Sequence, residues 1–295
     1  IVCREIAGAT RTVKWLFPVA NAAYDFICEK DGTFWFRTTL ASPKGSIIKI
    51  ALSDTSVYQQ VVPEAADALE SVRFVAGTLW ASYIHDGHAV VKVFTLDGKF
   101  LYDVELPGMG TLLSVGSDGT DSGVLYAYSN YITPPTVFQF DTAADKEHRL
   151  SKVWFSPKPA FDLSDLTQEQ VFYKSKDGTR VPMTLVHRKG LVKDGSNPTL
   201  LYGYGGFGVN ITPAFRPVFL VWLRLGGTLA VPNLRGGAEY GQAWHDAGRL
   251  HNKQNVFDDF RAAAHWLIDE KYTTSGRLAA SGVSNGGLLV SAAIT

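Results

Sequence analysis

Hydrophobic and polar residues alternate in short runs over the first half of the chain. Runs of aromatic and β-branched residues are separated by Asp-Gly pairs, the first at Asp31-Gly32 and the last at Asp118-Gly119. Alternation with a period of two predicts half-buried strands, and Asp-Gly suits the tight turn of a β-hairpin. We therefore expect residues 1–157 to consist of strands.

These strands repeat. The pairs Phe34-Trp35, Leu79-Trp80 and Leu125-Tyr126 lie 45 and 46 residues apart. Each pair is followed by a second apolar run: Ile47–Leu52, Val90–Leu96 and Val137–Phe140. A period in the mid-forties made of strands alone is typical of a β-propeller blade. A single irregular β-sandwich is the alternative, because the repeats share a pattern more than residue identities.

Three blades and a fragment are too few for a closed propeller, which needs at least four. Open blades would leave long, unpaired strand edges. We therefore expect further blades to precede Ile1 in the complete protein.

The pattern changes beyond the proline-containing stretch 156–166. We predict a hairpin from Val171 to Val186 that turns at Asp177-Gly178, and three apolar strands and one helix after it. The strands are Thr199–Tyr202, Thr228–Val231 and Leu278–Ala280; the helix is Asn255–Glu270, with Phe257, Phe260, Ala264, Leu267 and Ile268 on one face and Asp258 and Asp259 in its first turn. Strands that alternate with helices indicate a mostly parallel sheet. The predicted domains are thus an incomplete β-propeller, 1–157, and an α/β domain, 158–295.

Composition narrows the classes of partner. The chain has 28 basic and 28 acidic residues, so no excess of positive charge indicates nucleic-acid binding. With 46% apolar and 19% charged residues it has the composition of a well-packed globular protein. The longest apolar candidate for a membrane span, Pro217–Val231, is interrupted by Arg224 and two glycines.

Residues Gly282–Gly287, here named the serine turn, carry the strongest chemical signal. They read Gly-Val-Ser-Asn-Gly-Gly, after the apolar run Leu278–Ala280 and before an uncharged run. This order predicts a strand, a sharp turn and a helix, with glycines on both sides of Ser284 where side chains would collide. The serine hydroxyl would then stand beside a helix N-terminus, where developing negative charge is stabilised. We interpret Ser284 as a nucleophile; an ordinary glycine-rich turn is the alternative.

A second glycine-rich segment, Gly203–Gly208, here named the glycine loop, follows the strand Thr199–Tyr202. It matches G-x-G-x-x-G, but a dinucleotide site also requires a helix directly after it and an acid about twenty residues on. Pro213 and Pro217 interrupt the following segment, and no acidic residue occurs before Glu239. We favour the interpretation that the loop contributes to an oxyanion hole, as the loop after an early strand does in α/β-hydrolases.

A serine nucleophile needs a base to take its proton and a carboxylate to orient that base. In α/β-hydrolases both follow the serine along the chain. The eleven residues after Ser284 contain no Asp, Glu or His. His245 and His251 precede it and are weak candidates, and no spacing of His, Cys and carboxylates supports a metal site. We expect the acid and the base to lie outside these 295 residues, and this segment to be inactive without them.

Several motifs together resemble one known family. They are Leu201–Phe207, Asn233–Gly241, Asn252–Asn255, Phe257–Phe260 and Ser284–Leu289. These segments resemble the prolyl oligopeptidase family of serine peptidases and cover most of residues 170–295. The resemblance implies that residues 158–295 are the N-terminal part of an α/β-hydrolase domain, ending just after the nucleophile. The repeats before residue 157 resemble, more loosely, the later blades of that family's propeller.

The resemblance implies a serine endopeptidase that cleaves short peptides after proline, with a propeller that caps the active site and excludes folded proteins. It implies that Ser284 is the nucleophile, and that the Tyr204 hydroxyl and the Asn285 backbone N–H are the oxyanion donors. Phe207 would contact the substrate proline, whose apolar ring suits a flat aromatic. Val283 departs from the glycine usual in the family, and we expect a small effect on the turn. No cofactor or metal is implied.

Two alternatives remain at this point. One is a related propeller-bearing peptidase that cleaves after basic residues, or a dipeptidyl or acylaminoacyl peptidase. The stretch Gly203–Asn233 contains no acidic residue to bind a substrate cation. The other is a non-catalytic propeller module that binds partners. We expect a monomer that acts on short proline-containing peptides in the cytoplasm, with periplasmic export as the alternative compartment.

Overall fold

The first half of the chain forms separate antiparallel sheets. The computed structural model describes residues 13–119, 123–143, 151–158 and 161–295, and the backbone of 2–4. A two-stranded sheet pairs β1 (Val2–Arg4) with β2 (Val13–Trp15). Three four-stranded sheets follow, each with its strands in sequence order. They contain β3 (Tyr24–Lys30), β4 (Thr33–Thr38), β5 (Ser46–Ala51) and β6 (Asp54–Val62); β7 (Ala68–Val75), β8 (Thr78–His85), β9 (His88–Phe94) and β10 (Phe100–Val104); and β11 (Thr111–Ser117), β12 (Gly123–Ser129), β13 (Thr136–Asp141) and β14 (Lys152–Phe155).

The predicted repeat is confirmed as a repeat of blades. Trp35, Trp80 and Tyr126 each lie in the second strand of their sheet. Asp31-Gly32 and Asp86-Gly87 have positive φ angles at both residues, as hairpin turns of this length require. The outer strands β6, β10 and β14 were not predicted, because their exposed residues interrupt the apolar alternation.

Neighbouring blades pack face to face through alternate residues of the same strand. In β8, Leu79, Ala81 and Tyr83 belong to a buried cluster shared with the first blade. Trp80 points to the opposite face and packs edge-on against Phe140 of the third blade, with ring centroids 5.4 Å apart. A period of two places successive side chains on opposite faces, so a central blade buries both. This explains why β8 is buried along almost its whole length.

The second half is a layered α/β unit around a mixed sheet. Its strand order is β15-β16-β18-β17-β19, with parallel pairs β18–β17 and β17–β19 and antiparallel pairs β15–β16 and β16–β18. The strands are β15 (Leu166–Lys174), β16 (Arg180–Arg188), β17 (Thr199–Tyr202), β18 (Thr228–Pro232) and β19 (Leu278–Ser281). The predicted hairpin is β15–β16, and it turns at Asp177-Gly178 as expected.

Helices cover both faces of this sheet. The first helix packs against one face through Phe219, Leu220 and Leu223. The other face packs against two helices in a cluster that includes Leu201, Val256 and Leu289. The α-helices are α1 (Pro217–Arg224), α2 (Gln242–Asp246), α3 (Gln254–Asp269) and α4 (Asn285–Ile294), with short 3₁₀ helices at Leu250–Asn252 and Ser275–Arg277. None of the helices in the described ranges has the length and apolar character needed to cross a bilayer.

The buried face of α3 differs in part from the predicted one. Its buried residues are Val256, Asp259, Phe260, Ala263 and Leu267, and Ile268 is only half-buried. The helix begins at Gln254, so the two aspartates lie in its second turn, and the prediction that they lie in the first was wrong. Asp259 is fully buried because it pairs with an arginine, a contact that hydrophobic periodicity does not detect.

The propeller blades and the α/β unit touch through polar contacts. The Tyr240 hydroxyl donates to Asp86 at the tip of the β8–β9 hairpin, 2.5 Å away. Asn210 donates to Glu70 of β7 at 3.2 Å, and the Thr111 hydroxyl donates to the carbonyl of Pro213 at 2.7 Å. The β8–β9 hairpin tip, the start of β7 and the start of β11 therefore face the loops that follow β17 and β18.

Candidate active site

Ser284 lies at the apex of a strained turn between β19 and α4. Its φ is 58° and its ψ −119°, a conformation that non-glycine residues seldom adopt. Ser284 is exposed and is the N-cap residue of α4, so it stands at the end of the helix where the dipole favours negative charge. The N–H groups of Gly286 and Gly287 donate to the carbonyls of Val283 and Ser284, at 2.9 and 2.8 Å. This is the strand–turn–helix geometry predicted for the serine turn.

Both glycines beside Ser284 are required by close packing. A Cβ on Gly282 would lie 2.3 Å from the carbonyl oxygen of Gly286. A Cβ on Gly286 would lie 2.4 Å from the carbonyl oxygen of Gly203, the first residue of the glycine loop. The Val283 side chain is 67% exposed and points away from these contacts. The turn can therefore be this tight only with glycine at positions 282 and 286.

The glycine loop lies directly against the serine turn. β17 and β19 are parallel neighbours, so the segments that follow them emerge at the same edge of the sheet. The backbone N–H of Gly203 donates to the carbonyl of Ser281 at 3.1 Å. The Asn285 side-chain amide donates to the carbonyl of Tyr204 at 2.5 Å. The structure thus brings Tyr204, Asn285 and the turn of Ser284 together, although they are about eighty residues apart in the chain.

A cavity of about 430 Å³ opens beside these two segments. Phe207 lines it and is 78% exposed, with a positive φ of 57°. Asn285 lines the same cavity on the side of the serine turn, and Leu250 adds a further apolar side chain. An exposed aromatic ring at the rim of a cavity beside a candidate nucleophile can bind an apolar group. All four predicted site residues therefore lie in one region.

His245 lines this cavity too, but it is not placed as a base for Ser284. Its Nδ1 lies 2.9 Å from the carbonyl oxygen of Gly236. Among the residues that the structure describes, no histidine nitrogen is hydrogen-bonded to Ser284, and His251 lies in the exposed 3₁₀ helix that precedes α3.

Lys253 is part of the site and was not predicted to have a role. Its ammonium group donates to the carbonyl of Gly205 at 2.8 Å and to the side-chain oxygen of Asn285 at 3.1 Å. Lys253 is half-buried, and burial lowers its pKa because desolvation disfavours the charged ammonium. Its position in the Asn252–Asn255 motif was the only sequence signal, and a motif does not reveal contacts 32 and 48 residues away.

A buried ion pair supports the loops behind the site. Arg235 donates to Asp259 of α3, with 2.6 Å between Nη2 and Oδ1, and both side chains are almost completely buried. Arg235 also donates to Asp177 in the β15–β16 turn, and its guanidinium holds the pKa of that carboxyl at about 2. One arginine thereby connects the loop after β18, the hairpin turn and α3.

Glu239 is a further buried acid that was not predicted to have a role. It is 1% exposed, and burial raises its pKa to about 7. Its Oε1 accepts from the backbone N–H of Ile211 at 2.9 Å. Within the described part of the chain, its Oε2 has no hydrogen-bond partner. Glu239 lies next to Tyr240 and Asn210, which contact the propeller.

Comparisons with known families agree with this architecture. The model of the prolyl oligopeptidase N-terminal β-propeller domain matches residues 3–153, more than half of the chain. The model of the prolyl oligopeptidase family matches residues 213–295, which include both the serine turn and Lys253. The boundary near residue 157 falls between the two matched ranges and stays a prediction.

Individual relatives show the same likeness. A prolyl endopeptidase of Elizabethkingia miricola is 40% identical over 272 residues, which cover 91% of this chain and 38% of the relative. The prolyl endopeptidase of Dictyostelium discoideum is 35% identical, with 92% and 37% covered.

Solved structures extend the comparison to the fold. A structure from a study of two prolyl endopeptidases superposes with a TM-score of 0.87 and 41% identity, over 97% of this chain and 42% of that one. Prolyl oligopeptidase B of Galerina marginata, bound to a 35mer hydrolysis and macrocyclization substrate, gives a TM-score of 0.89 and 32% identity, over 98% and 41%. The chain therefore spans about two fifths of the length of the relatives it matches, and it belongs to the prolyl oligopeptidase family.

Proposed function

We propose that the protein carrying this sequence is a serine endopeptidase. It hydrolyses short peptides on the C-terminal side of proline, through an acyl-enzyme on Ser284. The observation that carries the proposal is the strained Ser284 at the start of α4, packed against the glycine loop, in a chain of this family. The proposed residues are Ser284 as nucleophile, the Tyr204 hydroxyl and Asn285 N–H as oxyanion donors, and Phe207 as a wall for the proline ring.

In the proposed reaction the Ser284 hydroxyl oxygen attacks the carbonyl carbon of the proline residue, and a histidine outside this chain takes the proton. The negative charge that develops on the carbonyl oxygen is stabilised by the hydroxyl of Tyr204 and the backbone N–H of Asn285. Collapse of the intermediate breaks the C–N bond, and the histidine returns the proton to the leaving amine. Water then hydrolyses the ester on Ser284 by the same steps.

Support for the proline preference comes from the cavity. Phe207 is an exposed, flat ring at its rim, and no acidic side chain is among the residues that line it. A substrate lysine or arginine would find no carboxylate there, whereas a proline ring has an apolar face and no N–H to satisfy. We therefore assign this cavity to the proline side chain.

Support for a limit on substrate length comes from the propeller. Its second blade contacts the loops after β17 and β18 through Glu70 and Asp86, close to the glycine loop. Blades in this position restrict access to the site, so we propose that short peptides enter and folded proteins do not. We expect the enzyme to act as a monomer.

A set of fluorogenic peptides that differ only at the cleaved residue tests the function. We expect the complete enzyme to cleave after proline with a kcat/KM at least about a hundredfold above that for arginine, lysine or aspartate. Preference for a basic residue, or release of dipeptides or acylated amino acids alone, would assign one of the related peptidase specificities. Absence of any hydrolysis would support a non-catalytic module.

A further inference from the structure

Lys253 connects the glycine loop and the serine turn through a closed set of hydrogen bonds, here named the Lys253 ring. The ammonium group donates to the Gly205 carbonyl at 2.8 Å and to Asn285 Oδ1 at 3.1 Å. Asn285 Nδ2 donates to the Tyr204 carbonyl at 2.5 Å. Since Tyr204 and Gly205 are adjacent in the chain, these three bonds close the ring.

The ring fixes the orientation of the Asn285 amide. A lysine ammonium group has donors only, so the amide must turn its oxygen toward Lys253. Its nitrogen then faces the Tyr204 carbonyl, which can only accept. A flipped amide would place donor against donor and acceptor against acceptor. Lys253 thereby decides which way Asn285 points and how closely the glycine loop approaches the serine turn.

The residues around the Lys253 ring are closely packed. A Cβ on Gly206 would lie 2.6 Å from Asn285 Nδ2, and a Cβ on Gly205 would lie 2.3 Å from Val256 of α3. Within the described ranges, no carboxylate forms an ion pair with Lys253. Burial of the ammonium group lowers its pKa. The cation is thus held by two neutral oxygens, next to the residues that supply the oxyanion donors.

We propose that Lys253 is a positioning residue that sets the spacing between the two oxyanion donors. The inference rests on the proposed function, because the donors are the Tyr204 hydroxyl and the Asn285 N–H. A small displacement of such donors weakens their bonds to the transition state more than their contacts with the substrate. Removal of the ammonium group is therefore expected to lower kcat and to leave KM nearly unchanged.

The test uses the complete enzyme and four proteins: wild type, Lys253→Met, Lys253→Arg and Lys174→Met. Lys174 is an exposed lysine at the end of β15 and serves as the matched control. Labelling by a serine-directed phosphonate first establishes that wild type has a reactive Ser284. Kinetic constants with a proline peptide, inhibition by a peptide aldehyde ending in prolinal, and melting temperatures are then measured.

For Lys253→Met we expect kcat to fall about 10- to 100-fold, with KM within about twofold of wild type. Binding of the aldehyde should weaken in parallel with kcat, because its tetrahedral adduct places an oxygen at the donors. Lys253→Arg should recover part of the loss, since it keeps charged donors, and Lys174→Met should match wild type. A melting temperature near the wild-type value excludes general unfolding as the cause.

Asn285→Ala breaks the same ring without altering Lys253, so it provides the test if Lys253→Met does not fold. It should show a similar fall in kcat with a smaller rise in KM, because its side chain also lines the cavity assigned to proline. The double variant should lose no more kcat than about the larger single loss. Unchanged kcat in the folded variants, a rise in KM alone, or additive losses would overturn the inference while the phosphonate label still supports the proposed function. An unlabelled wild type would overturn both.

Discussion

The backbone of Ser284 adopts a conformation that costs a non-glycine residue about 1–3 kcal/mol. It persists because the flanking glycines let the turn pack against the carbonyls of Gly203 and Gly286. A strained residue maintained by its surroundings is typical of a functional site, where the strain presents a side chain in one fixed direction. Here the strained residue stands at the start of α4, in the turn that packs against the glycine loop.

The proposed role of Tyr204 predicts the effect of removing one oxygen atom. In the complete enzyme, Tyr204→Phe should lower kcat by about a hundredfold to a thousandfold, the usual effect of losing one oxyanion donor. Steady-state kinetics with a proline peptide measures the change. Tyr202→Phe is the matched control, since Tyr202 lies in β17 and its hydroxyl accepts a hydrogen bond from Arg216. Unchanged turnover of Tyr204→Phe would remove this residue from the mechanism.

At the residue scale, the serine turn and the glycine loop could be predicted from the sequence, but the side chains that support them could not. The serine turn and the glycine loop could be identified from local order, because each follows an apolar strand and contains the glycines that a tight backbone requires. Lys253, Arg235 and Glu239 act through partners distant in the chain and have no local signature. Only the fold reveals such contacts.

At the scale of elements, two adjacent glycines at the start of α4 differ in how much space a side chain would have. A Cβ at position 286 would lie 2.4 Å from the Gly203 carbonyl oxygen, whereas a Cβ at 287 has its nearest described neighbour at 3.9 Å. Gly286→Ala must therefore separate β17 from the serine turn, and Gly287→Ala need not move anything.

We expect Gly286→Ala to lower the melting temperature by several degrees and to abolish labelling of Ser284. Gly287→Ala should keep the wild-type melting temperature or raise it slightly, because alanine is favoured over glycine within a helix by about 1 kcal/mol. Thermal unfolding and phosphonate labelling of both variants check this. Equal effects of the two substitutions would show that the packing at Gly286 is not the constraint.

Prediction of the elements succeeded where apolar residues face one partner. β17 was predicted with its observed ends, and the β15–β16 hairpin with its observed turn. The buried face of α3 was partly wrong because Asp259 is buried against Arg235. The antiparallel β16–β18 pair, which makes the sheet mixed, depends on long-range pairing that the order of strands and helices does not specify.

At the scale of the whole molecule, the contact between the blades and the α/β unit contains a buried acid. Glu239 packs behind Asn210 and Tyr240, which bond to Glu70 and Asp86 of the propeller. Burial also raises the pKa of Glu70. The propeller repeat was predictable from a 45-residue period, but nothing in that period indicates where a blade contacts the second domain.

Glu239 should make stability depend on pH. Its pKa is about 7 in the folded protein against an ordinary value of 4.5, so the folded state retains a proton that the unfolded chain has lost. Its contribution to stability is complete below about pH 4.5 and is lost as the pH rises to about 7. The glutamine of the Glu239→Gln variant cannot ionise, so this variant does not lose that stability as the pH rises.

The difference in melting temperature, Glu239→Gln minus wild type, should therefore increase from pH 4.5 to about pH 7 and stay constant above pH 7. Glu105→Gln, at an exposed position, should show no such trend. A flat difference for Glu239→Gln would mean that this carboxyl is ionised in the folded protein throughout the range.

The most direct test of the central claim is to label the protein with a serine-directed phosphonate and to locate the modified residue by mass spectrometry. We predict a single adduct on Ser284 of the complete enzyme, lost in Ser284→Ala, with hydrolysis of proline peptides lost in the same variant. An adduct on another residue, or hydrolysis that survives in Ser284→Ala, would contradict the assignment of Ser284 as the nucleophile.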